Sequence, residues 1–169
     1  QNGLEKAGDN MFFFNSLSCL SEKDVLILSW DGNGSEMIAP TNIFDNTVNM
    51  KQVYNDRGSR GTKNVSVWKP VIDDNEGYCL GYHVKEGHGR PVQDLLIGLK
   101  NAPKYAFVQP VDFKLEWHQA RGNQSLWCWI PIPPTGYKAV GFIGTTNRNK
   151  PNADVIRCVA TKYVNQIPV

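Results

Sequence analysis

The sequence predicts an all-β protein: a β-prism of three antiparallel sheets related by a pseudo-threefold axis. Three observations carry that expectation. A unit of about sixty residues occurs twice, and part of it occurs a third time. Its aromatic and β-branched segments alternate with a period of two, as half-buried strands do. Glycine and proline, 15 and 10 residues, interrupt those segments at short intervals, and no amphipathic helix stands out.

Each unit opens on an alternating strand. Val48-Asn-Met-Lys-Gln-Val-Tyr54 has its counterpart in Val111-Asp-Phe-Lys-Leu-Glu-Trp117. Both run into an Arg-Gly turn, Arg57-Gly58 and Arg121-Gly122. A Trp-x-Pro strand follows, Trp68-Lys-Pro70 in one unit and Trp129-Ile-Pro131 in the other. Proline cannot donate to a sheet ladder, so Pro70, Pro131, Pro133 and Pro134 mark strand ends or edges. A Gly-Tyr pair, Gly77-Tyr78 or Gly136-Tyr137, then turns the chain into Leu80-Gly81-Tyr82 or Val140-Gly141-Phe142. Each unit closes on a polar loop that reaches an aspartate and an apolar strand, Asp94-Leu-Leu-Ile97 or Asp154-Val-Ile156. Asp94 to Lys100 is apolar enough for a short helix, but Gly98 and the flanking prolines favour a strand.

The N-terminal segment carries a partial third copy in Asp24-Val-Leu-Ile-Leu28, with Met11 to Phe14 standing for the strand after Gly-Tyr. The C-terminal Ile167-Pro-Val169 resembles Gln109-Pro-Val111, the start of a unit. The reading is therefore one domain over 1–169, with a partial unit at 1–47 and full units at 48–110 and 111–169. Its first and last strands are expected to share a sheet and close a ring. Gln1 in place of Met suggests a processed or cut chain.

Composition narrows the function. Apolar residues make up 41% and charged residues 20% of the 169, an ordinary globular balance. A net charge of +2 with no basic stripe argues against nucleic acid. No apolar run approaches the roughly 18 residues of a membrane span, so no transmembrane segment is expected. Cys19, Cys79, Cys128 and Cys158 are widely spaced and lack C-x-x-C, which argues against zinc and leaves three pairings open. With N-x-S sequons at Asn33, Asn64 and Asn123, they favour a secreted or vacuolar, extracytoplasmic location over a cytosolic one.

No nucleophile elbow, phosphate loop or dinucleotide fingerprint is present, so no catalytic residue, cofactor or metal is assigned. His83, His88 and Glu86 could hold a metal weakly, but Gly87-His88-Gly89 reads as a solvated loop tip. Asp73, Asp74 and Glu76 could bind a cation but read as a charged turn. Trp68 and Trp129 share a repeated position and read as core; Trp127, two residues from Trp129, faces the same way and could stack on a sugar. Tyr78 and Tyr137 should anchor their corners through the hydroxyl.

Asp24, Asp94 and Asp154 stand where polar loops enter strands. Such carboxylates either tie down loop amides or present ionised acceptors to sugar hydroxyls. The loop Gly144 to Asn152 adds further donors and acceptors. The candidate ligand-binding set is Asp154, Asn147, Asn149, Thr145, Asp94, Asp24 and Trp127. The reading is a non-catalytic, lectin-like module that takes glycans or glycoproteins, with room for a homo-oligomer. The alternative is a protein-interaction or membrane-targeting module of a sorting or pore-forming protein.

Three stretches also resemble a known family: Pro110 to Trp117, Ile130 to Gly141 and Lys150 to Val159. They are similar to the vacuolar-protein-sorting-sixty-two-related family, known in plants as a domain of unknown function, with fungal relatives. The resemblance covers roughly Val65 to Tyr163. The Trp-x-Pro, Gly-Tyr, Gly pattern more distantly resembles the adaptor-binding repeats of the large lipid-transfer vacuolar sorting proteins. The family name implies sorting and implies no activity.

Overall fold

The computed structural model describes residues 26–28 and 43–166. Among these the chain is all-β, with 14 strands and no α-helix. In chain order they are β1 (Leu26–Leu28), β2 (Phe44–Thr47), β3 (Met50–Asn55), β4 (Val65–Pro70), β5 (Gly77–Cys79), β6 (His83–Glu86), β7 (Leu95–Leu99), β8 (Phe107–Val108), β9 (Asp112–Gln119), β10 (Leu126–Ile132), β11 (Tyr137–Lys138), β12 (Ile143–Thr145), β13 (Cys158–Ala160) and β14 (Val164–Gln166). Ala153–Val155 and Thr161–Tyr163 form 3-10 turns. Residues 95–99 are a strand, as Gly98 and the prolines required.

The sequence repeat is a structural repeat. Order β3-β4-β6 in the first unit corresponds to β9-β10-β12 in the second, and β2-β7-β5 corresponds to β8-β13-β11. All pairings are antiparallel. The strands divide more finely than the three sheets expected: the described residues form four three-stranded sheets and the β1–β14 pair, and the two short sheets take β2 and β8 from the segment before each unit. The prolines account for this. β4 stops at Pro70 and β10 stops one residue past Pro131, so the chain must leave one sheet and start another.

Even the irregularities are duplicated. Gln52 pairs with Trp68 and Tyr54 with Val67, leaving Val53 as an extra residue. Leu115 pairs with Trp129 and Trp117 with Cys128, leaving Glu116 extra at the matching place. A bulge bends its strand and increases the local twist, so both long sheets curl at their tryptophan. The Arg-Gly turns also correspond, with Gly58 at φ +79 and Gly122 at φ +89. They pack on each other: a Cβ on Gly122 would lie 2.7 Å from the Arg57 carbonyl oxygen, and Asn123 N–H donates to that oxygen at 2.9 Å.

Two cores result. Tyr54, Val65, Val67, Val84, Leu126, Cys128 and Phe142 fill the space between the two long sheets. Phe44, Leu80, Phe107, Val140, Val159 and Tyr163 join the two short ones. Each large apolar side chain so buried contributes about 1.5–3 kcal/mol. Where the units cross, Gly81 meets its own counterpart: a Cβ there would stand 2.7 Å from Gly141 Cα, and Tyr82 N–H donates to the Phe142 carbonyl at 2.9 Å. β1 pairs with β14, so the first and last described strands share a sheet, as expected of them.

Candidate functional site

The two buried tryptophans set the geometry of the loops. Trp68 and Trp129 are each 6% exposed, in equivalent positions. A buried indole N–H needs a partner. Trp68 Nε1 donates to Ser66 Oγ at 2.9 Å, and Ser66 Oγ donates to the Gly87 carbonyl at 2.6 Å. Trp129 Nε1 donates to Thr145 Oγ1 at 2.9 Å, and Thr145 Oγ1 donates to the Asn147 carbonyl at 2.7 Å. In both units an indole is wired through one hydroxyl to the loop after the third strand of its sheet. Those loops are therefore positioned from the core.

In the first unit, the loop is also held by side-chain contacts. His88 Nε2 lies 2.7 Å from Asp56 Oδ1, with the aspartate side chain only 3% exposed. Gln52 Nε2 donates to the His88 carbonyl at 3.1 Å. This corrects the reading of Gly87-His88-Gly89 as a solvated tip, because His88 is half-buried and pinned by a carboxylate from the Arg-Gly turn. His83 is buried in β6, and burial holds its imidazole below its usual pKa, with Lys85 acting the same way. Among the described residues no His, Cys, Asp and Glu group has metal-binding geometry.

In the second unit, Thr145, Asn147 and Asn149 share one small network, with Asn149 N–H donating to Asn147 Oδ1 at 2.9 Å. Trp127 pairs with Thr145 on one side and His118 on the other. The His118 and Trp127 rings stack at 6.1 Å and 10°. Four of the sequence-predicted residues, Trp127, Thr145, Asn147 and Asn149, are thus neighbours. The free hydroxyl and amide capacity is smaller than their number suggests, because Thr145 is spent on Trp129 and Asn147.

Asp154 belongs elsewhere. It is exposed and lines an open cleft of about 390 Å³ between the two units. Lys69, Asp74, Tyr78, Tyr82 and Lys100 come from the first unit; Asp154, Val155 and Arg157 come from the second. Arg157 N–H donates to the Cys79 carbonyl at 2.9 Å and stitches the walls together. Its guanidinium donates from Nη1 to the carbonyls of Asp154 and Ile156 at 2.8 and 3.0 Å. Among the described residues the Tyr78 hydroxyl has no partner that would anchor its corner. Its ring instead lies 4.5 Å from Lys100 Nζ and 4.7 Å from Arg157 Cζ. Tyr137 does anchor, its hydroxyl donating to the Tyr105 carbonyl at 2.7 Å.

Among the described residues no amide donates to the carboxylate of Asp94 or Asp154, and both are exposed. Asp24 lies outside the described residues. Asp73 to Glu76 is a turn in which Asn75 N–H donates to Asp73 Oδ1 at 2.9 Å, leaving Asp74 to face the cleft. Cys79 and Cys158 are free thiols, and burial pushes each up to about 12. Cys128 is disulfide-bonded; Cys19 lies outside the described residues.

Tyr78, Lys69, Lys100 and Arg157 stand outside the ligand-binding set that the sequence suggests. Arg157 left a signal in the sequence alone: counted from Asp94 and Asp154 it falls at Ile97, a cation against an apolar residue. In the sheets the match shifts, since Tyr78 pairs with Gly98 and Tyr137 with Ala160, so Ile97 corresponds to Val159 and Arg157 lies just before β13.

A twice-repeated all-β unit with a cleft at the junction defines a repeat-built β module. Residues 37–168 match the family described as vacuolar protein sorting-associated protein 62, and the chain belongs to that family. Comparison with characterised proteins gives no significant match. Among solved structures, the crystal structure of GNIP1Aa from Chromobacterium piscinae is similar, with a TM-score of 0.59 and 21% identity. The likeness covers 71% of this chain and 24% of that one, so this chain corresponds to about a quarter of that protein. No helix of the described residues is long and apolar enough to cross a membrane.

Proposed function

We propose that the chain is a single β-prism domain acting as a non-catalytic, glycan-binding module. The prism reading is supported by the two matched units and by the β1–β14 pairing. The cleft between the units carries the functional reading. Its walls present the carboxylates of Asp74 and Asp154, without an ion-pair partner among the described residues, beside Tyr78 and Tyr82. Carboxylates accept sugar hydroxyls in directional, charge-assisted bonds, and aromatic rings supply the apolar face of a sugar with a partner. An extracytoplasmic location follows the same line, since the disulfide at Cys128 needs an oxidising compartment. A glycan array probed with the full chain, with competition by free sugars, tests the reading. Retention on glycans and release by sugar are expected; retention that free sugars leave untouched overturns it.

A second reading, a membrane-targeting or protein-interaction module, has its own support. Val48 and Val71 are 55% and 54% exposed, and their counterparts Val111 and Ile132 are 66% and 39% exposed. The repeat thus keeps apolar residues in water at matching sheet ends, where packing does not need them. Binding of the chain to lipid vesicles or to a captured protein, with no response on the array, would favour this reading.

A further inference from the structure

We propose that the cleft takes a sugar bearing an anionic group, of the uronic-acid kind; this rests on the glycan-binding reading of the same cleft. The cations facing the cleft carry the argument. Lys100 Nζ and the Arg157 guanidinium both sit over the Tyr78 ring, at 4.5 and 4.7 Å. Lys69 lines the same cleft. Among the described residues none of the three has a carboxylate within ion-pair distance, although Asp74 and Asp154 line the same space. The Tyr78 π-face offsets part of the repulsion between the two cations, and an anion would offset the rest.

Arg157 is already oriented for that role. One nitrogen, Nη1, is fixed on the Asp154 and Ile156 carbonyls, and its other donors have no hydrogen-bond partner among the described residues. A planar guanidinium with free N–H donors suits a carboxylate, which it can meet with two parallel bonds. The backbone bond from Arg157 to Cys79 holds the residue at the junction.

The two carboxylates narrow the ligand further. A bare anion would meet Asp74 and Asp154 and leave them without donors. A neutral polyol would satisfy them and leave the cations uncompensated. A sugar acid meets both needs, with its carboxylate at Lys100 and Arg157 and its hydroxyls at Asp74 and Asp154. The positive set exceeds the negative by one charge, so binding should weaken as salt rises.

An NMR titration of the full chain with glucuronate, glucose and inorganic sulfate tests this. Glucuronate should bind at least tenfold more tightly than glucose at low salt, with shifts at Tyr78 and Arg157. That advantage should shrink at high salt and fall to about one in Lys100→Met. Equal affinity for glucose and glucuronate overturns the proposal and leaves the glycan reading standing. Sulfate binding as well as glucuronate overturns it too, because the sugar ring is then superfluous. If neither sugar binds, both readings fall.

Discussion

The two units share their frame and differ in what they hang on it. Bulge, glycine contact, Arg-Gly turn and buried indole recur at matching positions. The hydroxyl that serves the indole does not. In the first unit it is Ser66 on β4; in the second it is Thr145 on β12. Ser66 is paired across the sheet with Lys85, and Thr145 is paired with Trp127. The hydroxyl has thus moved from one strand to its cross-strand partner position, and the indole–hydroxyl–loop carbonyl chain survives. The hydrogen-bond pattern is the same in both units while the residue that supplies the hydroxyl differs. The loops themselves diverge: the first is locked by Asp56 and His88, and the second is held by its own asparagines.

The largest effect should come from the shared frame. Trp68→Ala and Trp129→Ala should each cost about 3–5 kcal/mol, read as unfolding free energy in urea. Similar losses would show that the units share the load. A loss confined to one would show that a single unit supports the fold.

Next comes the glycine contact. Gly141→Ala places a Cβ 2.5 Å from the Leu80 carbonyl oxygen and 2.6 Å from Gly81 Cα, against backbone that cannot rotate away. A cost of about 1–3 kcal/mol or more is expected, visible as a lower Tm. Gly136→Ala meets no atom within 4 Å, and only its φ of +88 opposes a side chain, so its cost should be smaller.

The relays rank third. Ser66→Ala and Thr145→Val each leave a buried indole N–H without a partner, at about 1–3 kcal/mol. Hydrogen exchange should also quicken in the loop beyond, at 87–93 or 147–152 respectively. Equal loop protection before and after would mean that the relay does not position the loop.

His83 gives the smallest effect. Its imidazole is held below the ordinary value of about 6.5 by burial and by Lys85. A lowered histidine leaves the unfolded chain binding more protons. Its share of stability is therefore complete above about pH 6.5 and is lost as pH falls below it. Urea unfolding between pH 7.5 and 5.5 should show the decline, and His83→Asn should flatten it.

The sequence carried the frame because every frame element repeats. Trp-x-Pro, Arg-Gly and Gly-Tyr each stand out twice, and packing demands them twice. It carried less of the site, because a site is where the repeat breaks. Arg157 against Ile97 in the sequence register is such a break, but its meaning depends on Tyr78 lying across the junction. Asp154 stands out by its place in the repeat, and nearness in sequence groups it with Thr145, Asn147 and Asn149. The 3-10 turn at Ala153–Val155 presents it to the cleft instead. The division into four three-stranded sheets was also hidden, since alternation along a strand does not say which neighbours it pairs with.

The central claim is that the cleft between the units, and no other part of the chain, makes Asp154 a binding group. Asp94 is its counterpart, also exposed and, among the described residues, also without an amide donor, and it does not line that cleft. The decisive measurement is glycan affinity of Asp154→Asn beside Asp94→Asn, with Tm recorded for both. The account predicts a loss of tenfold or more for Asp154→Asn, little change for Asp94→Asn, and stability within about 0.5 kcal/mol in each. Equal losses from both, or an Asp154→Asn variant that binds as before, would contradict it.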